Sequence, residues 1–137
     1  MWLIYGLGSA FFAGVTSILA KCGIRKTDSN VATAVRTIVV LLFSWLMVFL
    51  TGSESEIFSI DKGTMCFLIL SGAATGASWL CYYRALQLGP ASAVAPVDKL
   101  SILVTTAFSY LVFGERLSGR SAAGLALLTA GTVLMAV

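Results

Sequence analysis

The sequence predicts an all-α integral membrane protein with five transmembrane helices. Hydrophobic residues make up 58% of the 137 positions and charged residues only 11%, whereas soluble domains carry about 25% charged residues. The mean hydropathy is +0.96. Long apolar runs alternate with short polar breaks, and the runs approach the roughly 20 residues that a helix needs to cross a bilayer. This composition is too apolar for a water-soluble surface.

The five predicted helices make up a single transmembrane domain over residues 1–137, at residues 2–20, 31–50, 64–83, 92–113 and 121–137. The breaks between them are polar, charged or, at Gly89-Pro90, unable to continue a helix. An odd number of helices places the two termini on opposite faces. Lys and Arg are in modest excess beside the first and third breaks, which favours a cytoplasmic C-terminus but also permits insertion in both orientations.

The sequence contains few of the residues and motifs that serve in catalysis, metal binding or phosphate binding. The chain has no histidine and three cysteines, and neither a Cys-x-x-Cys pair nor a phosphate-binding lysine loop occurs. We therefore expect no enzyme activity, no metal and no cofactor. The basic residues behind the net charge of +3 are spread over the breaks, as membrane orientation requires, so we expect no nucleic acid partner.

Small residues recur at helical spacing in two of the predicted helices. Because lipid offers little hydrophobic drive for helix association, close backbone approach at small residues supplies much of the packing. Gly72 and Gly76 form a G-x-x-x-G in the third helix, and Ala122, Ala126 and Ala130 recur every fourth residue in the fifth. We interpret both patterns as helix packing faces.

Asp98 and Lys99 lie about two turns inside the predicted fourth helix, just after Pro96. A charge at the bilayer centre costs about 2.5–3.5 kcal/mol on insertion scales, so such residues usually meet a partner or water. Pro96 removes a backbone donor and loosens the helix. We expect a break at a cavity where Asp98 and Lys99 meet substrate or exchange a proton. The alternative is a shorter helix that begins after Lys99, with both charges in the headgroups.

Arg36, in the second helix, is the other cation within a span. It is expected to pair with Asp98 or to bind an anionic group; the alternative is snorkelling from near the helix start. Trp79 and Tyr83 share a helical face. They belong either to an interfacial aromatic belt or to a cavity that packs organic cations or aromatic substrates.

Two segments carry a family resemblance. Residues 83–96 read YRALQLGPASAVAP and residues 111–118 read LVFGERLS. With Lys21 and Arg36 at matching places, they resemble one EamA repeat of the drug/metabolite transporter superfamily, over essentially the whole chain. The stretch from Val97 to Ser101 departs from the commonest pattern and is similar to a small five-helix bacterial subgroup.

The resemblance implies a secondary transporter in the inner (plasma) membrane with lipid and a small-molecule substrate as partners. Larger members fuse two such repeats in inverted orientation. One repeat encloses little space, so we expect a homodimer, antiparallel in arrangement, that exports metabolites or drugs by alternating access. The alternatives are a noncatalytic membrane subunit of a larger complex and a flippase for lipids or lipid-linked sugars.

Overall fold

The computed structural model describes all residues from 1 to 137, and every regular element in it is helical. The elements are α1 (Trp2–Gly23), α2 (Ser29–Thr51), a short 3₁₀ helix (Glu54–Ser59), α3 (Lys62–Leu88), α4 (Ala91–Asp98), α5 (Ser101–Phe113) and α6 (Gly119–Ala136). Five segments are long and apolar enough to cross a membrane, with α4 and α5 together forming the fourth. The predicted fold class is confirmed.

Local signals explain where several helices begin and end. The Asp28 carboxylate accepts hydrogen bonds from the backbone N–H groups of Asn30 and Val31, at 2.9 and 3.4 Å, and so caps α2. Ser118 caps α6 in the same way. Gly52 and Gly114 end α2 and α5 with positive φ angles of 69° and 66°, the left-handed conformation that glycine adopts without a steric penalty.

Asp61 precedes α3 in an exposed loop. A hydrogen bond with the Thr64 side chain is the main reason that the pKa of Asp61 lies below its ordinary value, while backbone N–H groups add to the effect and desolvation opposes it. An ionised Asp61 carboxylate at this position favours the start of the helix, because the first N–H groups of a helix attract negative charge.

Most helix bounds differ by one to three residues from the sequence prediction, and the end of α3 differs by the most. Helix α3 ends at Leu88 rather than at residue 83, because residues 84–88 are good helix formers and nothing before Gly89-Pro90 stops the backbone ladder. The acidic break also contains a 3₁₀ helix that the sequence did not indicate. The extension is important, since it makes Leu86 and Gln87 part of α3.

Hydroxyl side chains within the spans bond to the carbonyl four residues earlier in their own helix. The pattern holds for Ser17, Thr33, Thr37, Ser44, Thr75 and Thr129. In a lipid environment a polar group without a partner is costly, so this internal bonding lets the helices carry hydroxyls through the bilayer.

The chain divides into two compact units. The first comprises Met1–Leu19 and Leu88–Val137, and within it α6 packs on α4. The least exposed positions of α6 share one face: Leu125, Thr129 and Thr132. The second unit comprises Ala20–Gln87 and holds five of the six buried residues of the chain.

Candidate functional site

The buried cluster of the second unit lies where α1 ends, α2 begins and α3 ends. It consists of Ile24, Ser29, Thr33, Tyr83 and Leu86. Leu86 is completely buried, and Ile24 and Tyr83 are each 3% exposed. Most other large apolar side chains in the spans are exposed, as expected for surfaces that face lipid. The cluster therefore fixes these three helix ends together.

Side-chain hydrogen bonds reinforce the buried cluster, from α1 to α3 and from α3 back to the end of α1 and the turn after it. The Lys21 ammonium of α1 donates to the Leu86 carbonyl in the last turn of α3, where helix carbonyls have no intrahelical partner. In return, the Gln87 amide nitrogen donates to the carbonyls of Ile24 and Thr27, at 3.3 and 2.8 Å. Arg84 donates to the Gln87 side-chain oxygen at 3.0 Å, which orients that amide.

Sequence reasoning missed this network. By sequence alone, Lys21 and Arg84 are typical of interfacial anchors, and Gln87 is typical of a turn before Gly89-Pro90. The available signal was that all three residues lie at helix ends on one predicted face of the membrane. Which of them touch depends on how the helices pack, and the sequence does not state that.

Arg36 lies against two aromatic rings one helical turn apart on α3. Its guanidinium carbon is 4.1 Å from the centroid of the Trp79 ring and 5.6 Å from that of Tyr83. Both distances fall within the range of cation-π attraction, which contributes about 0.5–1 kcal/mol at exposed sites and about 2 kcal/mol when desolvated. We call these three residues the arginine–aromatic site. Three side chains that the sequence singled out separately thus meet at one place.

The charge of Arg36 is not neutralised within its unit. No carboxylate of residues 20–87 forms an ion pair with it, and its guanidinium makes no hydrogen bond there. The expected pairing with Asp98 would join residues of different units and stays a prediction. Because the two rings already hold the cation of the chain itself, an organic cation would have to displace Arg36 to use them.

The fourth span is interrupted at Lys99 and Leu100. Helix α4 contains Pro96 and ends at Asp98, and α5 begins at Ser101. Across the interruption the ladder tightens to bonds between residues three apart: the N–H of Lys99 donates to the carbonyl of Pro96, and the N–H of Leu100 to that of Val97, both at 3.0 Å. Such a tight stretch within a span marks a hinge or a strained sequence.

Asp98 and Lys99 form a loose pair with each other at this interruption. The Lys99 nitrogen is 3.6 Å from an Asp98 oxygen, and the two side chains are 59% and 38% exposed. An ion pair this open contributes little stability. Helix α4 covers the eight residues up to the interruption, and α5 begins just after it at Ser101. The placement of both charges at a cavity and the alternative placement in the headgroups both stay predictions.

The two small-residue patterns face open space in the chain. A methyl group added at Gly72 or Gly76 would meet nothing within 4 Å, and Ala122, Ala126 and Ala130 are exposed, beside the face of α6 that is least exposed. Their role as helix packing faces stays a prediction.

The structure gathers no group of three or more metal-ligating side chains. The cysteines, Cys22, Cys66 and Cys81, are free and exposed.

Comparison with known proteins identifies the family. The chain matches the EamA-like transporter family over residues 1–137. It is 45% identical over 136 residues to an uncharacterized transporter in the cobO 3' region of Sinorhizobium sp, covering 99% of this chain and 96% of that protein. It is 26% identical over 144 residues to an uncharacterized protein of Methanocaldococcus jannaschii, covering 98% and 96%. No solved structure matches. With its five candidate spans and this match, the chain is a multi-pass membrane protein and belongs to the EamA-like transporter family.

Proposed function

We propose that the protein is a secondary transporter of the plasma membrane that exports small metabolites or drugs. The observation that carries this proposal is the interruption of the fourth span, where Asp98 and Lys99 follow Pro96. Asp98 is seven residues beyond the start of α4, which corresponds to a depth of about 10 Å at 1.5 Å per residue. Broken helices that carry charge within a membrane are typical of substrate and ion pathways.

Asp98 is the proposed site of proton exchange. A carboxyl group that is alternately charged and neutral can couple an inward flow of protons to an outward flow of substrate. Lys99 is the neighbouring charge, with its nitrogen 3.6 Å from an Asp98 oxygen, and is the second group that presents charge to the substrate. Pro96 supplies the backbone break that exposes both groups.

The proposed working unit is an antiparallel homodimer in which each chain acts as one transmembrane domain. Two inverted copies create a pseudo-symmetric site near the midplane that each side of the membrane reaches in turn. The open faces at Gly72 and Gly76 and at the three alanines of α6 support this arrangement, because small residues let a second set of helices approach closely.

Flux from purified protein tests the transport proposal. We expect the protein in phosphatidylcholine liposomes to move protons against at least one compound of a metabolite and drug panel, measured with a pH-sensitive dye trapped inside. Protein-free liposomes are the control. Folded protein that moves none of the compounds at either of two pH values would instead be a noncatalytic subunit of a larger complex.

Crosslinking tests the antiparallel dimer. In a background with the three native cysteines replaced by serine, one tagged copy carries A122C and a second carries A130C. These positions lie about 12 Å apart along α6 at 1.5 Å per residue. If α6 lies at the dimer interface, we expect disulfides between the two variants and few within either one. Disulfides only between identical positions, or no dimers at all, would contradict the arrangement.

A further inference from the structure

We propose that the arginine–aromatic site binds the anionic group, a carboxylate or phosphate, of a small soluble molecule. This inference rests on the proposed function in that it names the class of substrate. It is carried by a different observation, the placement of an unneutralised guanidinium between α2 and α3.

Two aromatic rings of α3 hold Arg36 in place. The guanidinium lies over the ring of Trp79 and near that of Tyr83. An aromatic ring that stacks on a guanidinium contacts its flat face and leaves the N–H donors in its plane available, and the Arg36 donors make no hydrogen bond to residues 20–87. The rings therefore fix the position of the charge without using its hydrogen-bonding capacity. A guanidinium held in this way can donate two parallel hydrogen bonds to two oxygens of a carboxylate or phosphate.

The position of the Arg36 guanidinium along α3 differs from the position that snorkelling would give. Arg36 is the eighth residue of α2, and a snorkelling side chain would place its charge toward the end of α3, near Leu88. Its guanidinium instead lies closer to Trp79 than to Tyr83, and Trp79 is nine residues, or about 13 Å, before that end. The side chain is thus held at the deeper of the two rings, which argues against simple snorkelling.

The buried cluster lies next to the arginine–aromatic site on α3. Tyr83 and Leu86 follow Trp79 on α3, and both are buried in the cluster that joins the three helix ends. Along α3 the cluster therefore lies between Trp79 and the helix end at Leu88. This places Arg36 farther from the headgroups near that end than the cluster is, which favours a soluble substrate over the phosphate of a lipid headgroup.

Trp79 fluorescence provides a binding test that does not depend on transport. The full chain carries Trp2→Phe and Trp45→Phe, so that Trp79 is the only tryptophan, and is placed in phosphatidylcholine nanodiscs. Succinate and inorganic phosphate are titrated separately at constant ionic strength, with tetramethylammonium as the cation probe. We expect a saturable change in emission with at least one anion and none with the cation.

Variants at Arg36 decide the assignment. Arg36→Gln is expected to weaken apparent anion affinity at least about tenfold, because the charge-assisted bonds are lost. Arg36→Lys keeps the positive charge and serves as a second variant in case Arg36→Gln fails to fold. It is expected to bind the anion more weakly than the parent, because lysine lacks the paired N–H donors of a guanidinium. The matched control is Arg25→Gln, an exposed arginine of the preceding turn, which should leave the titration unchanged.

Three results would overturn the proposal. The first is an anion titration that Arg36→Gln and Arg36→Lys leave unchanged. The second is a response to tetramethylammonium and to neither anion. The third is a change in emission that requires phosphatidylglycerol in the nanodisc, which would assign the site to lipid headgroups. Arg36-dependent binding in a protein without flux would refute transport alone, whereas flux without such binding would refute only this inference.

Discussion

Asparagine in place of Asp98 is expected to abolish the accumulation of substrate that a pH gradient drives. If one proton is exchanged per substrate, a gradient of one pH unit sustains about a tenfold substrate gradient, since each tenfold ratio corresponds to about 1.4 kcal/mol. An amide cannot exchange a proton, so the Asp98→Asn variant should reach a ratio of about one. The measurement is the steady-state distribution, in proteoliposomes with and without a pH gradient, of a compound found in the flux panel.

The control for charge removal is Glu54→Gln. Glu54 is an exposed acid in the 3₁₀ helix, outside the spans, so its replacement should leave accumulation unchanged. Exchange of labelled for unlabelled compound without a gradient shows that the Asp98→Asn protein still binds substrate. Tenfold accumulation retained by Asp98→Asn would remove this residue from the coupling mechanism.

Alanine in place of Leu86 is expected to cause the largest loss of stability in the chain. Leu86 is the one completely buried large side chain, and it lies where α1, α2 and α3 meet. Leu→Ala substitutions in packed protein interiors cost about 2–5 kcal/mol. In lipid the hydrophobic part of that cost is smaller, so we expect the free energy of unfolding to fall by about 2 kcal/mol, measured by detergent-induced unfolding.

Leu88 offers a matched control two residues further along α3. Its side chain is 73% exposed, so Leu88→Ala should change the free energy of unfolding by no more than about 0.5 kcal/mol. Equal effects of the two substitutions would show that the buried cluster does not anchor the three helix ends.

The five spans were predictable because the bilayer imposes a length and a polarity on each helix. The exact ends of the helices were harder to predict. Counting apolar residues ended the third helix at Tyr83, but a backbone ladder continues through polar helix formers such as Arg84 and Gln87 until Pro90 interrupts it. Apolarity thus locates a membrane crossing, while backbone chemistry sets how far the helix extends beyond it.

The members of the candidate site were predictable one at a time but not as a group. The four-residue spacing of Trp79 and Tyr83 placed them on one face of α3. Arg36 stood out because charged residues are rare within the predicted spans. The contact between them depends on which face of α2 turns toward α3, and hydrophobic patterning does not specify this when most faces of a helix are apolar. The bonds of Lys21 and Gln87 went unrecognised for the same reason.

The uneven distribution of buried residues has a mechanical consequence. Helices α2 and α3 share buried residues only where α2 starts and α3 finishes, so a tilt between them has its pivot near Leu86, while residues 52–61 connect their other ends. The opposite tip of α3, near Lys62, is about 36 Å from that pivot at 1.5 Å per residue, so a tilt of about 10° swings it by about 6 Å. Arg36 and Trp79 lie close to the pivot, so they hardly separate during such a tilt. The other ends of α2 and α3 move apart, toward the far side of the membrane.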